Sequence, residues 1–280
     1  SLSRSPGDFG TSWVIPFPKE NIKEIDIIKS TISGYFYSIL MRKLTIQVGS
    51  IVINDETIID YVKKNLSKTE AEFYEFIKNS SDTDVIYNRQ QFPQKWLNKS
   101  SIPEEILSEE KIDQLRSDFS SGKIVCVKLP VVIDSIKEGK ISSYFYVYLQ
   151  NKPGLEDSLA AFVRTDLIIS KESEFLLRQQ GSFFGLIVAD HEPIANFLAN
   201  CEEPNHTKFN HVMKAAEKKY TKNSIKKTLT NIRMGASRVY SFLEETDSGM
   251  HADALIDVLS IMGFKKPRVK TPIKEPEIVT

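Results

Sequence analysis

The sequence has few cysteines, no long apolar run and no net charge, and each of these absences argues against a class of protein. Its two cysteines, Cys126 and Cys201, lie far apart and form no paired-spacing motif, which disfavours a disulfide-stabilised secreted scaffold. No apolar run approaches membrane-spanning length, and no signal segment is visible. Lysine plus arginine and aspartate plus glutamate each number 37, so no overall field favours nucleic acid. These features predict a cytoplasmic globular protein with no membrane partner.

The distribution of apolar residues predicts an α+β fold. Apolar residues alternate with polar ones in 125–133, and the aromatic run 144–149 returns as a partner strand. Two later apolar segments, 162–169 and 183–188, add further strands. Three- and four-residue apolar periods in 25–39 and from Asn223 predict long helices before and after these strands. We therefore expect an antiparallel sheet with helices on one face, followed by a helical carboxy-terminal region.

The first residues carry a glycine-rich turn that can bind phosphate. Gly7 and Gly10 flank an acid and an aromatic residue, and Thr11 follows directly before an apolar segment. Glycine lets backbone N–H groups approach a phosphate closely, and a threonine hydroxyl adds a donor. By residue type alone, such a pattern is more often an ordinary turn before a strand.

A second polar turn lies at 201–209. It brings the imidazole of His206, the hydroxyl of Thr207 and the ammonium group of Lys208 together in sequence. Such groups reach phosphate through hydrogen bonds and charge. The alternative is a helix start, with Pro204 at an early helical position and Asn205 or Thr207 as the cap. The two histidines His206 and His211 have no cysteine at ligand spacing, so we predict no metal site here.

The string GTSWVIPFP that begins at Gly10 resembles the last nucleotide-binding motif of the GHKL superfamily, which includes gyrase, MutL, heat-shock-chaperone and Morc types. In that superfamily Gly-Thr follows a flexible lid and opens a closing strand of the ATP-binding domain. The helical Asn/Asp motif for magnesium and the Asp-x-Gly-x-Gly motif for adenine do not precede it here. The resemblance therefore implies the carboxy-terminal part of a larger ATPase, cut just before its last nucleotide motif.

The same resemblance implies a transducer domain that projects a cation onto the γ-phosphate. In the MutL type the projecting loop is similar to His-Pro-x-Lys-x-Glu, and the segment 203–209 occupies a similar place in chain order. The lysine of that motif corresponds to His206 here, and Lys208 lies two residues later. The resemblance therefore does not decide which of the two contacts the phosphate. Arg164, in a segment similar to the Phe-Val-Asn-Gly-Arg strand of MutL or the lysine-bearing strand of Morc, is a further candidate cation. Lys152, at the end of a hairpin, is a weaker one.

These residues define the predicted site. The candidate catalytic residues are His206, Lys208 and Arg164, and the candidate cofactor-binding residues are Gly7, Gly10, Thr11 and Lys152. ATP and magnesium would be bound mainly by the missing upstream domain, so this portion is not expected to be an active enzyme alone. ATP binding and hydrolysis would drive a conformational change, and the parent could form a homodimer.

The implied organisation has four parts. Residues 1–18 end the ATP-binding domain, 19–200 form the transducer-like α+β domain, 201–264 form a helical region and 265–280 form a disordered tail. The segments GTSW, GYFYSIL and Glu-x-Pro-x-His-Thr follow one another in an order that resembles a bacterial family of GHKL-type proteins. This resemblance spans most of residues 7–245. Several such families are thought to act in defence against phage.

Two other functions compete with this one. A basic helical run in 208–238 is opposed only by Glu217 and predicts a nucleic-acid-binding module if its side chains line one face; a solvated helix surface is the alternative. The run consists of Lys208, Lys214, Lys218, Lys219, Lys222, Lys226, Lys227, Arg233 and Arg238. A protein-interaction scaffold is the third hypothesis, for which the helical end offers a face.

Overall fold

The computed structural model describes residues 22–82, 84–85, 89–92 and 108–244. Gly7, Gly10 and Thr11 lie outside these residues, as do the predicted tail and the end of the predicted helical region. Within the described part, the helices before the main sheet are α1 (Glu24–Leu40), α2 (Ile58–Asn65) and α3 (Lys68–Asn79). Between α1 and α2 lies a two-stranded antiparallel hairpin, β1 (Ile46–Val48) with β2 (Ile51–Ile53).

The main sheet and its helices follow in chain order. Its strands are β3 (Gln90–Gln91), β4 (Val125–Ser135), β5 (Gly139–Asn151), β6 (Leu159–Arg164), β7 (Leu167–Ile168) and β8 (Phe183–Ala189). The helices are α4 (Glu109–Ser120), α5 (Glu174–Leu177), α6 (Glu192–Cys201), α7 (Lys214–Glu217) and α8 (Lys222–Glu244). The α+β fold class is confirmed, and the helical periods in 25–39 and from Asn223 correspond to α1 and α8.

The sheet is mixed, whereas the sequence analysis predicted an antiparallel one. Its strand order is β3-β4-β5-β8-β6-β7, and β3 pairs with β4 and β6 with β8 in parallel. The long hairpin of β4 and β5, with Val125 opposite Leu149 and Ser135 opposite Gly139, is antiparallel as predicted. The prediction was wrong for β6 and β8 because apolar periodicity carries no information on strand direction. Their parallel pairing is allowed by the β7–α5 connection between them.

Helices cover both faces of the sheet, and the prediction of helices on one face was wrong. Strand β8 is buried at every position, which is typical of a strand covered on both sides. Phe183 and Ile187 pack into a core with α4, α6 and α8. Phe184 and Leu186 alternate with them and pack into a second core with α1, α2 and α3. The sheet therefore lies between two helical layers.

The described residues up to Leu243 belong to one compact unit. The helices α6 and α8 share the core of the sheet rather than standing apart from it. The predicted limits of the ATP-binding, transducer, helical and tail regions stay predictions. Among the described helices, none is long and apolar enough to cross a membrane.

Two glycines are expected to have opposite effects on stability when changed to alanine. A Cβ at Gly34, within α1, meets no atom within 4 Å, so Gly34→Ala should raise the free energy of unfolding by about 0.5–1 kcal/mol through helix propensity. Gly181 has φ of 126°, and a Cβ there collides with the Tyr240 hydroxyl, which donates to the Gln180 carbonyl at 2.8 Å. Gly181→Ala should therefore cost about 2–4 kcal/mol. Urea unfolding measures both changes, and shifts of the same sign would contradict the packing described.

Candidate functional site

The segment 202–209, here called the 202–209 loop, closes on itself directly after α6. Glu202 and Phe209 form an isolated antiparallel bridge, and the Glu203 N–H donates to the Lys208 carbonyl at 3.0 Å. The N–H of His206 donates to the Glu203 carbonyl at 2.9 Å, and His206 has φ of 56°. A non-glycine residue in this left-handed conformation is strained and is held there by its surroundings. The loop thus presents His206 at its tip.

Glu202 brings two of the predicted site residues together. The Nε group of Arg164, at the end of β6, donates to Glu202 Oε2 at 2.6 Å. Nδ1 of His206 contacts the other oxygen, Oε1. The Glu202 side chain is 4% exposed and that of Arg164 is 18% exposed, whereas that of His206 is 64% exposed. Arg164 therefore anchors the base of the loop, while His206 keeps most of its ring accessible.

The other two predicted cations occupy different positions. Lys208 Nζ lies 3.3 Å from Glu203 Oε1 within the same loop and is about half exposed. Lys152, at the end of the β5 hairpin, lies 2.8 Å from Glu72 Oε2 on α3. The hydrogen bond from Lys152 lowers the pKa of the Glu72 carboxyl. Among the described residues no contact joins Lys152 to the 202–209 loop. Three of the four candidate cations, Arg164, His206 and Lys208, therefore lie in or against this loop, and Lys152 does not.

A second buried carboxylate, Glu172, fixes the end of the loop. Its side chain is 1% exposed and accepts from Arg233 at both oxygens, over 2.7 Å at Oε2 and 2.6 Å at Oε1. The backbone N–H of Phe209 donates to Oε1 at 2.7 Å, and Arg233 also donates to the Phe209 carbonyl at 2.6 Å. The loop is therefore tied to α8 by charge-assisted hydrogen bonds.

Sequence reasoning missed Glu172 and Glu202 and counted Arg233 as one member of a basic run. A signal for Arg233 was present in its helical position, because it lies four residues after Leu229 and three before Ala236, both of which are buried. A charge on the apolar face of an amphipathic helix indicates a buried partner. No comparable signal marks Glu172, whose partners lie 37 and 61 residues away.

The loop tip opens onto a cleft of about 990 Å³. Asn205, His206 and Thr207 line one side, and Lys29 and Ser33 of α1 line another. Further hydroxyl, amide and aromatic groups of the lining come from the α2–α3 connection, α3 and the residues around β7. The volume suits a ligand of nucleotide size, and the lining offers many hydrogen-bond donors. The carboxylate of Glu70 on α3 also lines the cleft, where it accepts from the backbone N–H and the hydroxyl of Ser67.

Cysteine chemistry is not available at this site. Cys201 directly precedes the loop and is fully buried. Burial raises the pKa of its thiol to about 12, so the reactive thiolate is scarce at neutral pH.

The Glu172–Arg233 pair is expected to dominate the stability of the loop. Arg233→Met leaves a buried carboxylate without its cation and should lower the free energy of unfolding by about 3–5 kcal/mol. The double variant Glu172→Leu with Arg233→Met should lose less, because no buried charge remains. Lys226→Met, at an exposed position of the same helix, is the matched control. Urea unfolding of the four proteins tests this, and an Arg233→Met variant as stable as the control would contradict it.

No protein-family model, curated protein or solved structure matches this chain. The superfamily resemblance of the sequence motifs therefore stays a prediction.

Proposed function

We propose that this chain is the transducer and carboxy-terminal portion of a GHKL-type ATPase. An upstream domain would bind ATP and magnesium, and the 202–209 loop would contact the terminal phosphate. The observation that carries the proposal is the placement of His206, which stands strained and exposed at the tip of an anchored loop and lines a cleft of about 990 Å³. Strained backbone held by its surroundings is common where a side chain must be aimed at a ligand.

The contact with Glu202 prepares His206 for this role. When the imidazole is protonated, Nδ1–H donates to Glu202 and Nε2–H is left to donate to a phosphate oxygen. Glu202 also accepts from Arg164, so the carboxylate itself is held in place. A donor fixed in advance stabilises developing phosphate charge without reorganisation during the reaction.

The geometry favours His206 over Lys208 as the phosphate contact. His206 lines the cleft, whereas Lys208 is not among its lining residues and faces Glu203. The Lys208–Glu203 pair is partly exposed, so it is weak and can be exchanged for a ligand. Lys208 is thus a secondary contact, and Arg164 a positioning residue that acts through Glu202.

The proposed output is a change of shape. Nucleotide binding would draw the loop, together with the sheet that carries it, to the phosphate, and hydrolysis would release both and let the two domains rotate apart. The protein would work in the cytoplasm, with the upstream ATP-binding domain as its partner and a homodimer of the parent as its assembly. Defence against phage is the biological setting that the resemblance suggests.

The alternative, a nucleic-acid-binding module built on the basic run, has less support. Arg233 is used in the buried pair with Glu172, and Lys222 lies 3.4 Å from Glu217 Oε1. These pairings interrupt the row of free cations that binding to a phosphate backbone requires.

Replacing His206 in the full-length protein should separate hydrolysis from nucleotide binding. We expect His206→Ala to lower kcat for ATP hydrolysis by about tenfold to a hundredfold, because it removes one preorganised donor to the terminal phosphate. The dissociation constant for ATP should change by less than about threefold, since most binding groups lie in the upstream domain.

His211→Ala, at an exposed position outside the loop, serves as the matched control and should keep wild-type turnover. A steady-state phosphate-release assay gives kcat, and nucleotide fluorescence gives the affinity. Unchanged turnover in both His206→Ala and Lys208→Ala would remove the assignment.

A further inference from the structure

A second cavity lies along the middle of the β4–β5 hairpin, next to β3 and the start of α6. Its volume is about 320 Å³, and it shares no lining residue with the cleft at His206. Strand β8 pairs with β5 only as far as Tyr146, so Tyr144 and Ser143 have no partner on β8. His191, which directly precedes α6, contacts these two residues instead. The cavity is lined by Gln91, Lys128, Ser142, Ser143, Tyr144 and His191 among others.

Two contacts fix the imidazole of His191. Its Nδ1 lies 2.8 Å from the Ser143 hydroxyl, and its ring stacks on Tyr144 with centroids 4.2 Å apart and planes 23° apart. Ser143 is 5% exposed, so its hydroxyl orients the imidazole rather than meeting a substrate. Within the described residues Nε2 of His191 makes no hydrogen bond and remains available for a ligand.

Lys128 brings an ammonium group to the same Tyr144 ring. Its Nζ lies 3.8 Å from the Tyr144 centroid, a cation–π distance. No carboxylate of the described residues lies within ion-pair distance of this ammonium group. The described lining of the cavity also contains no aspartate or glutamate. Tyr144 thus holds an ammonium group and an imidazole beside one cavity, with the Ser142 hydroxyl and the Gln91 amide as additional donors.

We propose that this cavity, the Lys128–His191 pocket, binds the phosphate group of a small molecule. His191 Nε2–H and the Ser142 hydroxyl would donate to its oxygens, and the Lys128 side chain, which lies over the Tyr144 ring, would turn from that ring to bring its ammonium group to the same phosphate. Several hydrogen-bond donors suit the three terminal oxygens of a phosphate group. The ammonium group, with no carboxylate in the described lining, suits its double negative charge. The volume is at the lower end of ligand cavities, which leaves room for a few heavy atoms beyond the phosphate. The pocket is independent of the proposed ATPase function.

Binding of two small probes by this chain tests the proposal. Inorganic phosphate and glycerol 3-phosphate are titrated by calorimetry at constant ionic strength into the wild type, Lys128→Met and His191→Asn. Lys140→Met, at an exposed position on the neighbouring strand β5, is the matched control. We expect saturable binding with a dissociation constant of about 1 mM or tighter. Each pocket variant should weaken it at least about tenfold, and the control less than about twofold.

A histidine-resolved readout locates the bound phosphate. The ring signals of His191, assigned by their loss in His191→Asn, should shift on phosphate addition, while those of His206 stay in place. Circular dichroism checks the fold, and Lys128→Gln replaces Lys128→Met if that variant does not fold. Tighter binding of glycerol 3-phosphate than of inorganic phosphate supports an ester ligand, and equal binding supports free phosphate. No saturable binding of either probe, equal affinity in all variants or a shift of His206 alone would overturn the proposal.

Discussion

The burial of the Glu172 carboxylate is the constraint on which the rest of the candidate site depends. A charge that is 1% exposed is tolerated only if its oxygens find a cation and hydrogen bonds of good geometry. Arg233 supplies two such bonds from α8, and the backbone of Phe209 supplies a third. This one carboxylate joins its own segment to α8 and to the end of the 202–209 loop. The loop therefore cannot shift without exposing the carboxylate or removing its hydrogen-bond donors.

On this fixed base the loop can carry strain at its tip. Glu202 holds Arg164 below the loop and His206 within it, so exposure increases from the base to the tip. The loop therefore has an anchored base and an exposed imidazole at its tip. The sheet is covered by helices on both faces, and such a body moves as a unit rather than bending.

Much of the fold was predictable from the sequence, and the reasons for the failures are physical. The hairpin of β4 and β5, α1 and α8 follow from strong periodicity. Strand direction and the second helical layer do not, because an apolar segment such as β8 gives neither. The site was half predictable: His206, Lys208 and Arg164 were singled out by residue type and resemblance. The Glu202 carboxylate, which joins Arg164 to His206, was not predictable, since Arg164 and Glu202 are 38 residues apart and meet only in the folded chain.

The central claim is that the tip of the 202–209 loop touches the terminal phosphate of a bound nucleotide. A cross-linker carried on the γ-phosphate of an ATP analogue, applied to the full-length protein and followed by peptide mass spectrometry, tests this most directly. The account predicts that the label is recovered on the peptide containing His206 and is lost when unmodified ATP competes. Label found only on peptides that lie outside both the loop and the cleft would contradict it.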